Sequence, residues 1–180
     1  MKASITVVLF AFFFANLTIS AQTPEKVKWY TMEEAIQLNA KTPKKFIIDI
    51  YTDWCGWCKK MDKDTFNEPE IARYINANYY PVKFDAESSE SVVFGGKKYE
   101  GSSAAGGRKS PHQLAVAFFN GQSIGYPAIA YLTEKLEMIG TVPGYKTPQQ
   151  IEPLLHYIAE SKYQTEAFDK YSASFVSRMK

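Results

Sequence analysis

The chain has 180 residues, a formal net charge of +2, and 22% charged and 15% aromatic residues. Its length suits one domain with a core of its own. The mixed, nearly balanced charge argues against nucleic acid as a partner and against a polybasic membrane face.

The N-terminus reads as an export signal. Lys2 gives a positive start, Ile5 to Ala15 is an apolar run, and Leu17-Thr18-Ile19-Ser20-Ala21 ends in small residues before Gln22. This layout predicts a secretory signal peptide over residues 1–21, cut after Ala21, and an oxidising destination outside the cytoplasm. The run is short for a membrane span, which needs about 20 apolar residues. Residues 22–162 then read as one domain and residues 163–180 as a C-terminal helical extension.

After a linker from Gln22 to Lys28, Thr31 and Glu34 form a capping box. The helix it opens has Ala35 and Leu38 on its apolar face, Ile36 at the edge, and Lys41-Thr42-Pro43 as its stop. Phe46-Ile47-Ile48-Asp49-Ile50 reads as a buried strand. A helix beginning at Cys55 carries Lys59, Lys60, Asp62, Lys63 and Asp64 as a solvated charged face. Asn67 with Glu70, and Pro69 in the first turn, predict the cap of the next helix, striped by Ile71, Tyr74 and Ile75. Tyr79 to Asp85 is a second strand.

Residues 86–109 read as an inserted loop segment holding a hairpin, Val92-Val93-Phe94 and Lys97-Lys98-Tyr99 about Gly95-Gly96. Its glycines match no phosphate-binding pattern. Ser110-Pro111 predicts the cap of a helix, His112 to Phe119, with Leu114, Ala117 and Phe118 inward. Tyr126-Pro127 precedes a strand, Ala128 to Leu132, whose antiparallel partner is Glu137 to Val142, ended by Gly144. Proline is tolerated at such a strand start, where the cis form is open to it. Thr147-Pro148-Gln149-Gln150 is another capping box. It leads into the stripe Ile151, Leu154, Leu155 and Ile158, with a kink expected at Pro153. Phe168, Tyr171 and Phe175 recur at helical spacing in the tail and are expected to pack on the domain.

Cys55 and Cys58, the only cysteines, sit where the first buried strand meets the following helix. A Cys-x-x-Cys at such a junction presents a redox dithiol. Thiols three apart on a first helical turn close or reopen a disulfide with little backbone movement. Cys55, at the helix N-terminus, meets free N–H groups and a dipole that favour the thiolate, the species that attacks a disulfide. Cys58, one turn in, would resolve the mixed disulfide. A four-cysteine zinc site lacks two ligands, and His112 and His156 lie far along the chain. Haem attachment needs His where Lys59 stands. No metal or cofactor is expected for the redox reading; capture of a soft ion such as Cu(I) and an inert disulfide are the alternatives.

Asp49 is the anomaly of its strand. An ionisable group there is costly unless its pKa rises or it finds a partner. A raised pKa would let it exchange a proton with Cys58; a hydrogen-bonded structural Asp is the alternative. Lys83, in the neighbouring strand, either reaches Asp49 or is a surface lysine.

The order βαβ, then α, hairpin and α, with the dithiol after the first long strand, resembles the thioredoxin-like superfamily over roughly Val27 to Glu160. The resemblance implies a three-layer α/β/α fold with a central mixed sheet, the 86–109 segment being inserted before a cis-proline. It makes Cys55 and Cys58 the catalytic pair, Asp49 the buried acid and Lys83 the lysine beside that acid. Trp54, Gly56, Trp57, Tyr126, Pro127 and Gly144 would line the substrate groove. Trp54 and Trp57 would rim the sulfurs, although Trp54 is equally suited to the core. Asp53-Trp54-Cys55, Lys59-Lys60-Met61 and Thr65-Phe66-Asn67-Glu68-Pro69-Glu70 resemble a narrower branch, exported bacterial proteins like the C-terminal domain of the transmembrane thiol:disulfide reductase. The inner pair departs from thioredoxin, being Gly-Trp rather than Gly-Pro. The implied activity is a periplasmic thiol–disulfide oxidoreductase, a reductase or isomerase. Its partners would be disulfide-containing exported proteins and, for a reductase, a membrane electron donor. The rival is a non-catalytic module of the same fold that binds a soft metal or a protein partner.

Overall fold

In the computed structural model, which describes residues 25–105 and 108–179, strand β1 (Lys45–Tyr51) is buried on both faces. Side chains alternate along a strand, so Phe46, Ile48 and Ile50 enter one core cluster, while Ile47 enters the other and Asp49 follows it on that side. The expected signal peptide, residues 22–24 of the linker, and Gly106 and Gly107 of the inserted loop lie outside the described residues.

Around β1 the chain order is α1 (Met32–Lys41), β1, α2 (Gly56–Met61) running into a π-helical turn (Asp62–Phe66), α3 (Pro69–Asn78) and β2 (Tyr79–Asp85). Then come the hairpin β3 (Val92–Phe94) and β4 (Lys97–Tyr99), a two-residue pair β5 (Ala104–Ala105) and β6 (Arg108–Lys109), and α4 (Gln113–Phe119). Strands β7 (Ala128–Leu132) and β8 (Met138–Pro143) precede α5 (Pro148–Ala159) and α6 (Phe168–Ser174). The main sheet has the order β2-β1-β7-β8, with β1 parallel to β2 and antiparallel to β7, and β7 antiparallel to β8. Helices α1 and α4 cover one face; α3, α5 and α6 cover the other, joined by Met61 and Phe66. This is the expected three-layer fold with a central mixed sheet. Parallel strands need a crossover, and here it starts at the C-terminal end of the inner strand β1, which puts Cys55 just beyond that end of the sheet.

Both capping boxes form, at Thr31 and Thr147. Two other caps differ from expectation. Asn67 ends the π turn in a helical conformation, its N–H donating to the Asp62 carbonyl, whereas Glu68 takes the extended conformation of an N-cap and opens α3, its carboxylate accepting from the Ile71 N–H at 2.8 Å. At α4 the Ser110 hydroxyl is occupied by Ser103, and His112 is the cap, Nδ1 accepting from the Leu114 N–H at 2.9 Å. On α4 it is Ala115, not Ala117, that is buried beside Leu114, Phe118 and Phe119. Helix α5 continues through Pro153.

The tail packs on the body. Tyr171 enters the core with Phe168 and Phe175 against it, and Tyr157 donates to the Glu166 carbonyl at 2.6 Å. The buried Glu152 carboxylate accepts from Ser177 Oγ and from the Arg178 and Met179 N–H groups.

Candidate active site

Cys55 is the N-cap of α2, and Cys55 and Cys58 form a disulfide. The Cys58 N–H donates to Cys55 Sγ at 3.1 Å, so the helix end already directs a donor at the sulfur that would carry negative charge after reduction. The Cys55 N–H donates to the Thr52 carbonyl at 3.1 Å, which fixes the turn between β1 and the helix. Both sulfur-bearing residues are nearly covered, at 4% and 2% exposure, whereas Trp54 and Trp57 beside them stand 66% and 59% exposed. Trp54 is therefore a rim residue and not part of the core. Its indole donates to Glu87 Oε1 at 3.0 Å and its ring meets Tyr126 edge-on at 6.1 Å. Trp57 leans on Tyr145, ring centroids 5.4 Å apart.

The Tyr126–Pro127 peptide bond is cis. The Pro127 carbonyl accepts from the Gly144 N–H at 2.7 Å, and Gly144 itself takes φ +83°, a conformation natural to glycine. Tyr126 makes no backbone hydrogen bond among the described residues. Its amide and carbonyl are thus unpaired by the protein's own backbone among the described residues. Gly56 has no atom within 4 Å of where a Cβ would stand; local packing does not require glycine there.

Beneath the helix lies an acid–base–acid group. Asp49 and Lys83 are in register on adjacent strands, and Lys83 Nζ donates to Asp49 Oδ2 at 2.5 Å and also to Asp62 Oδ1. Asp62 lies four residues beyond Cys58, on the same side of the helix, and is no part of a purely solvated face. The second Asp49 oxygen, Oδ1, is buried without any partner, as is Thr52 Oγ1. Burial pushes Asp49 up from 3.8 to about 6, against the opposing pull of Lys83 and with a further push from Asp62. Burial alone would lower Lys83, but the two carboxylates outweigh it and hold the ammonium above its ordinary value. Among the described residues, no group of three or more His, Cys, Asp or Glu side chains is placed to hold a metal ion.

A profile of the thioredoxin-like domain matches residues 32–159. The chain belongs to the thioredoxin-like domain family. With its Cys-x-x-Cys pair at 55–58 it falls among that family's thiol–disulfide oxidoreductases. Of curated relatives, the thiol:disulfide interchange protein DsbD of Vibrio vulnificus is 36% identical over 69 residues, 36% of this chain and 12% of that protein. The chain thus spans only a small part of that relative's length. Two solved structures share the fold. A thioredoxin-fold protein from Helicobacter pylori has a TM-score of 0.54 at 19% identity, covering 73% of this chain and 78% of its own. A putative disulphide-isomerase from Bacteroides thetaiotaomicron has a TM-score of 0.52 at 18% identity, covering 81% of this chain and 100% of its own.

In this thioredoxin-like domain Trp54 and Trp57, which flank the disulfide in sequence, meet Tyr126 and Tyr145, the chain neighbours of Pro127 and Gly144, and Asp49 pairs with Lys83 on the adjacent strand. Sequence reading missed Asp62, Glu87 and Tyr145. Asp62 carried a usable signal, its i+4 spacing from Cys58, hidden among Lys59, Lys60, Lys63 and Asp64; Glu87 carried none. Removing the Asp62 charge should release Lys83 to Asp49 and lower the Asp49 pKa. Asp62→Asn is expected to move the Asp49 carboxyl titration, followed by carbon NMR, downward from about 6. An unmoved titration would show that Asp62 plays no part in holding it there.

Proposed function

We propose that this protein is an exported enzyme that reduces or isomerises disulfides of other exported proteins, with Cys55 as nucleophile and Cys58 as resolving thiol. The observation that carries the reading is the disulfide itself. It closes at a helix N-terminus, between two exposed indoles, one of which meets the ring of Tyr126, whose bond to Pro127 is cis and whose backbone is free of hydrogen bonds among the described residues. In the reducing direction, the Cys55 thiolate forms a bond to one client sulfur and expels the other as thiolate. The Cys58 thiolate then attacks Cys55 Sγ, closes the internal disulfide and releases the second client thiolate, so two electrons pass to the client. Asp49 is suited to take the Cys58 proton because its pKa lies near neutrality. Trp54 and Trp57 offer apolar contact to the client chain.

Export rests on the signal-like residues 1–21, and the periplasm is the compartment proposed. There a reductase would draw its electrons from a membrane donor, since the surroundings oxidise the dithiol. The test is turnover on a protein disulfide. Substoichiometric enzyme with dithiothreitol should accelerate reduction of insulin well above dithiothreitol alone. Stoichiometric or no acceleration would remove the catalytic reading and leave a binding module.

A further inference from the structure

A cavity of about 700 Å³ lies away from the dithiol between the free edge of β8, the outer side of α5 and the tail. This falls within the range of small-molecule sites, about 300–1,000 Å³. Its walls are largely apolar, with Ile139 on β8, Pro153, Leu154 and Tyr157 on α5, and Phe168 on α6. The tail wall is firmly built, since Glu152 and Tyr157 hold the chain on either side of α6 by the hydrogen bonds given above.

Two donors at this cavity are incompletely matched, one without an acceptor and the other without a counter-charge. Tyr131 reaches its wall from β7, and the Tyr131 hydroxyl, completely buried, has no partner. A buried hydroxyl left unpaired costs stability that an acceptor would restore. Lys146 sits at the end nearest Gly144, its ammonium resting on the Pro143 and Gly144 carbonyls, with no carboxylate within salt-bridge distance among the described residues. Burial lowers Lys146, the mark of a cation short of counter-charge. From Gln150 to Ile158 the cavity follows α5 for about 12 Å.

The geometry points to a ligand with one anionic head and one apolar chain: we infer that this cavity binds a free long-chain carboxylate, its head at Lys146 and its chain along α5 toward Phe168. The inference is independent of the redox reading. Lys146 also touches the Pro143–Gly144 backbone that joins Pro127, so an occupied cavity would bear on the groove beside the dithiol.

Calorimetric titration with dodecanoate, below the concentration at which it forms micelles, tests this. The protein should bind one equivalent saturably. Lys146→Met should weaken binding at least tenfold, and dodecyltrimethylammonium should bind at least tenfold more weakly than dodecanoate. Ser172→Trp, at a small half-exposed lining residue, should abolish binding while insulin reduction stays unchanged; Leu154→Phe on the facing wall serves the same purpose if that variant unfolds. No saturable binding by the unmodified protein, or binding that survives filling of the cavity, would overturn the site. Equal affinity for the cationic amphiphile, or an unaffected Lys146→Met variant, would overturn the anionic assignment.

Discussion

Cys58→Ser is expected to turn the protein into a trap. Incubated with an oxidised protein such as insulin, the variant should accumulate a covalent adduct through Cys55 that dithiothreitol reverses, and turnover should fall by about 10³-fold or more. The asymmetry comes from position. Cys55 caps the helix, with the Cys58 N–H directed at its sulfur, and stands between the exposed Trp54 and Trp57. Its thiolate is therefore both stabilised and the one beside the groove. Cys58 lies one turn deeper and is suited to attack Cys55 Sγ rather than a client. Without it the first exchange proceeds and the second has no thiolate to complete it. Cys55→Ser should give neither adduct nor turnover. Adducts formed by Cys55→Ser but not by Cys58→Ser, detected on non-reducing gels, would reverse the assignment of the two thiols.

Asp49→Asn should make the protein more stable at pH 8 and poorer at exchange. The Asp49 carboxyl is raised from 3.8 to about 6, so between those values the folded chain holds a proton that the unfolded chain releases. Stability from this group is fully present below the lower value and falls as pH rises to the upper one. The loss is of the order of 3 kcal/mol by the linkage relation. An uncharged Asn escapes it. Urea unfolding should show the variant gaining on the parent by up to that amount between pH 4 and pH 8, less whatever the Lys83 contact returned. Identical differences at both pH values would mean that Asp49 is not held raised. Exchange should suffer because no group then takes the Cys58 proton. Release of the mixed disulfide near pH 7 is expected to slow by about 10²-fold, recovering as pH approaches the thiol's own range. A residue that costs stability and serves chemistry is the pattern expected of functional positions.

The features legible from sequence were those with local signals. Thr31 and Thr147 announced their helices through the residue three places on, Gly95-Gly96 announced its hairpin, and the junction of a buried strand with Cys55 announced the redox pair. Asp49 stood out because a carboxylate within Phe46-Ile47-Ile48 and Ile50 contradicts the strand's burial. What escaped depended on contacts between distant segments. The π turn shifted the start of α3 from Asn67 to Glu68. Asp62 looked solvated because its neighbours are, yet the turn sets it on Lys83. His112 displaced Ser110 as a cap because Ser110 was needed by Ser103. Trp54 could not be assigned between core and rim until Glu87, thirty-three residues on, was seen to hold its indole. The cavity along β8 is farther still from any local pattern, since its walls come from a strand edge, a helix and the tail.

The most direct single test is the equilibrium of the Cys55–Cys58 pair in glutathione buffers of graded ratio, with alkylation to trap reduced and oxidised chains. One reversible two-electron transition is expected, with both forms recovered from either direction. A bond that stays closed at every ratio while the protein is folded would contradict a working dithiol and leave Cys55–Cys58 as a structural link.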